Sequence, residues 1–394
     1  MKVFVVDQSF FGLLYDVQFC AALAEAGADV TLVGRQLRPY EEMTRGGFRH
    51  LPLFYSFSER LPARLKSLAR MTKGLEHARG MGALVDLVRR ERPDILHFQW
   101  IVLPFIDARF LPKLAKLAPL VLTVHNSVPY HGAGSSSLML RGQEEALGAF
   151  HHFIPHTAGI RDYLRQQGIA DARIELLSHP AVRLPRDPEA ARRAASRPPG
   201  APVEILFFGN MKPYKGVDIL IGAVSELSRR RRDFHVTISG KASIDLAPLK
   251  AELAAAAADE LVTFEPRHLS EAELGTRLEA ADIVVFPYRE IDASGAFACA
   301  SQFGKPILAS DLGAFAEAPV RDHLRLVAPE DPAVLAAALE ELIADPGRRA
   351  EWATRSRSLQ QITYSWERFA EDCMALYGRM LSASGREALH ESQQ

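Results

Sequence analysis

The chain has 394 residues, a formal net charge of -1 and 24% charged residues. That is enough length for two large domains, with no global field to draw it to nucleic acid. Its three cysteines, Cys20, Cys299 and Cys373, are too few and too scattered for a disulfide framework or a zinc site, so a reducing, cytoplasmic compartment is expected.

Met1–Asp7 reads as a first strand and lacks the long apolar core of a secretory signal. No apolar run approaches the roughly 18 residues of a spanning helix. Apolar runs predict strands at 2–6, 29–33, 93–98, 119–124, 152–155 and 173–177, with helical spacing between several of them, as at 15–26 and 76–91. The pattern breaks at the proline-rich, basic stretch 184–202, read as a hinge. A second series follows, with strands near 203–208, 234–239, 261–264, 282–286, 306–309 and 324–327. Strands alternating with helices imply parallel sheets covered on both faces. The expected fold class is therefore α/β, with two doubly wound domains, 1–185 and 202–365, facing each other across a cleft. A hinge at 186–201 would join them. A helix at 366–383 would cross back to the first domain, and a disordered tail would occupy 384–394.

In open α/β sheets ligands gather beyond the carboxyl ends of the strands, where strand order reverses. The first strand leads into Asp7, Gln8 and Ser9, then a helix carrying Tyr15 and Asp16, without the GxGxxG of a dinucleotide site. His97, Gln99 and Trp100 end another strand; they suit either a sugar, with the indole on its C–H face, or an internally satisfied core. His125 and Asn126 open from the strand 119–124, ahead of the small-residue loop Gly132–Ser137. His151, His152 and His156 match no zinc spacing and read as structural.

The sharpest local signal is Phe208-Gly209-Asn210-Met211-Lys212-Pro213-Tyr214-Lys215-Gly216, an apolar strand, a basic turn and a helix start. Two ammonium groups beside free backbone N–H groups suit a phosphate or diphosphate. The GK[ST] ending of a nucleoside-triphosphate loop is missing. A second corner follows at Arg289–Ala296, where Ser294 is placed to cap a helix and Gly295 and Ala296 leave their amides open. Arg60–Leu75 has leucines on one helical face ringed by Arg60, Arg64, Lys66, Arg70 and Lys73. This segment either packs on its own domain or touches an anionic membrane.

Taken together, Gly209 to Ile221, Ala281 to Tyr288, Ser294-Gly295-Ala296, Gly304 to Ser310 and Tyr364-Ser365-Trp366 resemble the retaining GT4 glycosyltransferases of bacteria, which have the GT-B fold. The resemblance implies a nucleotide-diphosphate sugar as donor, bound by Gly209, Asn210, Lys212, Lys215, Glu290, Asp292, Ser294, Gly295 and Ala296. It implies a glycan or lipid-linked acceptor near Asp7, Gln8, Ser9, Tyr15, Gln99, Trp100 and Asn126. Lys215 matches the family lysine on the diphosphate, and His125 matches the histidine near the transferred sugar. Lys212 stands in for a basic residue that the family usually carries where this chain has Asn210. These three, His125, Lys215 and Lys212, are the expected catalytic residues. The chain departs from the family's E-x7-E pair: the second position is Cys299, and the first falls near Glu290 and Asp292, as in a Ser-Gly-Ala subgroup. No metal and no organic cofactor are expected. The alternatives are a sugar-nucleotide epimerase or phosphorylase of the same fold, or a non-catalytic nucleotide-sugar-binding subunit.

Overall fold

The structure is a computed structural model that describes residues 1–39, 41–43, 45–58, 66–126, 142–362 and 365–391, with backbone alone for 66–71, 362 and 384–391. The chain divides into two compact units, Met1–Pro180 with Tyr364–Gln394, and Ala181–Thr363.

The first unit is built on β1 (Lys2–Val6), β2 (Asp29–Arg35), β3 (Arg49–Phe54), β4 (Ile95–Phe98), β5 (Leu120–Val124) and β6 (His152–Pro155). All pairs are parallel, in the order β3-β2-β1-β4-β5-β6. The order reverses between β1 and β4, so the loops after those two strands flank the switch point. Sequence reading missed β3, whose Pro52 and weak alternation suit an edge strand. The strand expected at 173–177 does not form. Asp171–Arg173 is a short 3-10 turn, and a single bridge joins Ile174 to Phe153.

The core of this unit packs one sheet face against the helix Leu13–Glu25 and the long C-terminal helix Trp366–Glu391. Trp366, Phe369, Ala370, Cys373, Leu376, Tyr377 and Met380 line its buried stripe. Their spacing is that of one face of an α-helix. The helix runs to Glu391, past residue 383, where the sequence pattern ended it.

The second unit contains β7 (Val203–Phe208), β8 (Phe234–Ser239), β9 (Val262–Glu265), β10 (Ile283–Phe286), β11 (Ile307–Ser310) and β12 (Arg325–Val327). They are again parallel, in the order β12-β11-β10-β7-β8-β9, with the switch point between β7 and β10. The stretch read as a hinge carries a helix, Pro188–Ala195. Asp187 caps it by accepting from the amides of Glu189 and Ala190, and Pro188 occupies its first turn.

Candidate active site

In the second unit the two loops at the switch point are locked together. Gly209 leaves β7 with φ +109, a conformation that disfavours a side chain. Pro213–Lys215 forms a 3-10 turn, and Gly216, at φ +65, starts the helix Val217–Leu227. A β-carbon on Gly216 would lie 1.8 Å from the Pro287 carbonyl oxygen, so the turn packs directly on the end of β10. Arg289 fastens the contact. Its amide donates to Tyr214 O at 2.7 Å, and its guanidinium donates to Pro213 O and holds both Asp218 oxygens at 2.8 and 2.6 Å.

This clamp aims Lys215 inward. The residue is 9% exposed, with Nζ 5.2 Å from the centre of the Tyr288 ring. Nζ also lies 2.9 Å from where a β-carbon on Gly209 would stand, and that point is 3.9 Å from Ala296 Cβ. The ammonium thus lies beside Gly209, on the side of the helix Gly295–Ala300, whose first turn is capped by Ser294 Oγ accepting from the Phe297 amide. Among the described residues no carboxylate pairs with Lys215. Burial pulls its pKa below the ordinary lysine value. Lys212 is drawn the same way, by burial and then by the charge of Lys215. Two cations drawn down by burial, Lys212 also by the charge of Lys215, make beside a helix start a corner that an anion would relieve.

The other residues expected to hold a donor differ in exposure. Asn210, Glu290 and Gly295 are exposed, and Asp292, Ser294 and Ala296 are half-buried. Cys299 is packed inside, with its thiol pushed up to about 12 by burial.

In the first unit, Asp7 follows β1 and gathers its loop. Oδ1 accepts from the amides of Ser9 and Phe10 at 2.9 and 2.7 Å. Asp16 lies beside it, and burial, then the neighbouring Asp7, pushes its carboxyl well up; burial raises Asp7 as well. Gln8 is enclosed against Met81. Asp7, Gln8 and Gln99 are wholly buried, whereas Ser9, Trp100, His125 and Asn126 are partly exposed. The residues expected to meet an acceptor therefore fall into an inner set that supports and an outer set that can touch.

His125 stands at the end of β5. Its Nε2 is 3.0 Å from Gln99 Oε1, its ring stacks on Trp100 at 4.6 Å, and Tyr15 meets it edge-on at 4.9 Å. His97 is satisfied inside, between Thr123 and Tyr377, which settles its reading as core. Sequence reading took His156 as structural and did not single out His179; the two rings pack 4.9 Å apart and join Tyr15. His156 directly follows β6, the one signal that pointed to it. The Nδ1–H of His156 donates to Leu177 O, leaving Nε2 as an unpaired acceptor. Among the described residues, Gln99 Nε2, Trp100 Nε1 and Trp366 Nε1 are likewise donors without a partner. Buried polar atoms rarely go unpaired, and a concentration of them suits an oxygen-rich ligand or water. The loop Gly132–Ser137 lies outside the described residues, as does 60–65. No group of three or more metal-binding side chains occurs among the described residues.

Two parallel sheets of this order, each with its loops gathered at a switch point, are the architecture of the GT-B fold. The structure of sucrose-phosphate synthase from Thermosynechococcus elongatus has the same fold, with a TM-score of 0.75 at 17% identity, over 97% of this chain and 100% of that one. Residues 16–180 match the family described as "Glycosyl transferase 4-like domain", and residues 202–345 match "Glycosyl transferases group 1". Each half of the chain thus matches a glycosyltransferase domain family, and the chain is a glycosyltransferase of the GT4 type. Among curated relatives, a D-inositol 3-phosphate glycosyltransferase of Streptomyces bingchenggensis is 32% identical over 52% of this chain, an alignment that spans about half of that relative's length, 48%. Another from Salinispora arenicola is 27% identical over 94% of this chain and 88% of its own length.

Proposed function

We propose that this enzyme takes a sugar from a nucleoside-diphosphate donor held by the second unit and gives it to a glycan or lipid-linked acceptor held by the first. The setting would be bacterial cell-surface or exopolysaccharide synthesis, with retention at the anomeric carbon. The observation that carries the reading is the buried, carboxylate-free ammonium of Lys215 beside Gly209, facing Ala296. Breaking the anomeric C–O bond puts negative charge on the departing diphosphate. A preorganised cation there stabilises the transition state without further rearrangement. Lys212 and the amides of Ser294–Ala296 add to the same field. Because the chain supplies this positive charge itself, we propose metal-independent transfer.

The Ser-Gly-Ala assignment leaves ribose recognition to Glu290 or Asp292, since Cys299 is inside and its thiol stays protonated. Retention is favoured by the enclosure of Asp7 and Asp16, which keeps both from serving as a solvent-side base and leaves an inverting route only His125. The leaving phosphate would then deprotonate the acceptor on the same face.

Nucleoside diphosphate release, screened across donor sugars with and without acceptor, tests this. Lys215→Ala lowers acceptor-dependent release by about 10²–10³-fold. It also leaves the melting temperature unchanged or raised, because an uncompensated buried charge has been removed. EDTA leaves turnover intact. Near-normal release by Lys215→Ala would remove the diphosphate assignment. Interconversion of the donor sugar would mark an epimerase, and binding without turnover a regulatory subunit.

Among the described residues no helix is long and apolar enough to cross a membrane. We also propose peripheral contact of residues 60–75 with anionic lipid, on their basic and leucine-rich pattern. Liposomes of acidic phospholipid should float wild type and not a variant reversed at Arg60, Arg64 and Lys66; equal flotation of the two would end that idea.

A further inference from the structure

We propose that Gln99 is a positioning residue that fixes His125 in one neutral tautomer, Nε2 protonated and Nδ1 bare, so that His125 meets a substrate hydroxyl and not a phosphate oxygen. This rests on the transferase reading above and specifies which chemistry His125 offers.

Gln99 is 0% exposed, so it acts on a substrate only through a neighbour. That neighbour is His125, whose Nε2 lies 3.0 Å from Gln99 Oε1. A carboxamide oxygen can only accept, so Nε2 carries the hydrogen. A neutral imidazole has one N–H, which leaves Nδ1 as a lone pair. The ring is held neutral by its surroundings: burial, then the neighbouring His156, His179 and His97, all disfavour a second proton. Its plane is held too. Trp100 stacks on one face with 21° between rings, Tyr15 meets it at 87°, and His156 lies 5.1 Å away. A half-turn flip of the ring would put Cε1 where Nε2 stands and break the Gln99 bond, and any smaller rotation would tilt the ring off Trp100.

The consequence is chemical. An ionised phosphate oxygen only accepts hydrogen bonds, and so does a bare Nδ1, so the two repel. A sugar or acceptor hydroxyl donates, and fits. His125 then orients a substrate hydroxyl, while the charge on the leaving group is left to Lys212 and Lys215.

The tautomer can be read without activity. Long-range proton–nitrogen spectra of the full chain labelled with 15N-histidine, with His125→Ala to assign the signal, should show a protonated Nε2 and a bare Nδ1 in wild type. A bare Nε2, as the opposite orientation of the Gln99 amide requires, would overturn the inference. Gln99→Leu should turn the signal into a mixture of tautomers and lower nucleoside diphosphate release about tenfold. Gln99→Glu, which still accepts from Nε2, should keep the wild-type tautomer and hold release near the wild-type rate. Equal impairment of the two variants would also overturn it. A wrong tautomer leaves the transferase reading standing, whereas a wild type that releases no nucleoside diphosphate sinks that reading and leaves the spectra to decide the tautomer.

Discussion

Gly216 sets the tolerance of the basic corner. Its φ of +65 and its approach to Pro287 O leave no room for a methyl group. Gly216→Ala should cost at least ~2 kcal/mol, from the left-handed backbone and the overlap together. It should also separate the turn of Lys215 from the end of β10. Thermal melting and donor-binding calorimetry should both report a loss; an unchanged affinity would mean that the Arg289 clamp alone holds the corner. At this scale legibility followed sequence distance. Lys212, Lys215 and Ser294 could be found because strand end, turn and helix start are consecutive. The bond between Gln99 and His125 could not be found, because it depends on β4 and β5 lying side by side.

Elements with a full apolar stripe were legible, and elements defined by pairing were not. The C-terminal helix announced itself through the spacing of Trp366 to Met380. The edge strand β3 has Pro52 in its middle and no buried alternation to betray it. The helix Pro188–Ala195 was hidden by the prolines around it, although Asp187-Pro188-Glu189 is a capping sequence.

The C-terminal helix is tied to β4 through Tyr377 and His97, and burial holds the His97 imidazole down to about 3. The sign follows from linkage. The unfolded chain binds a proton at this histidine near pH 6.5 and the folded chain does not, so its contribution is intact above that pH and is lost as pH falls toward 3. Asp7 and Asp16 work in the opposite direction, since burial raises them. The histidine is therefore isolated by comparison with His97→Gln. Between pH 6 and 4, wild type should lose about 1.4 kcal/mol more per pH unit than the variant. Urea unfolding followed by the fluorescence of Trp100 and Trp366 gives both slopes; identical slopes would show that His97 takes up no extra proton on unfolding.

For the molecule as a whole, the twelve parallel strands among the described residues follow from alternating apolar runs, which is why the class could be read from sequence. The first unit closes with residues from the far end of the chain, where the sequence pattern already placed a helix crossing back to the first domain. During synthesis, the stripe of Phe19, Leu23 and Ile95 must wait while residues 181–363 are added before the helix that covers it exists. At about 5–20 residues per second that delay is roughly 10–40 s. For that time the nascent amino-terminal half carries an open greasy flank, so the ribosome-bound intermediate, more than the finished enzyme, is the form that depends on chaperones.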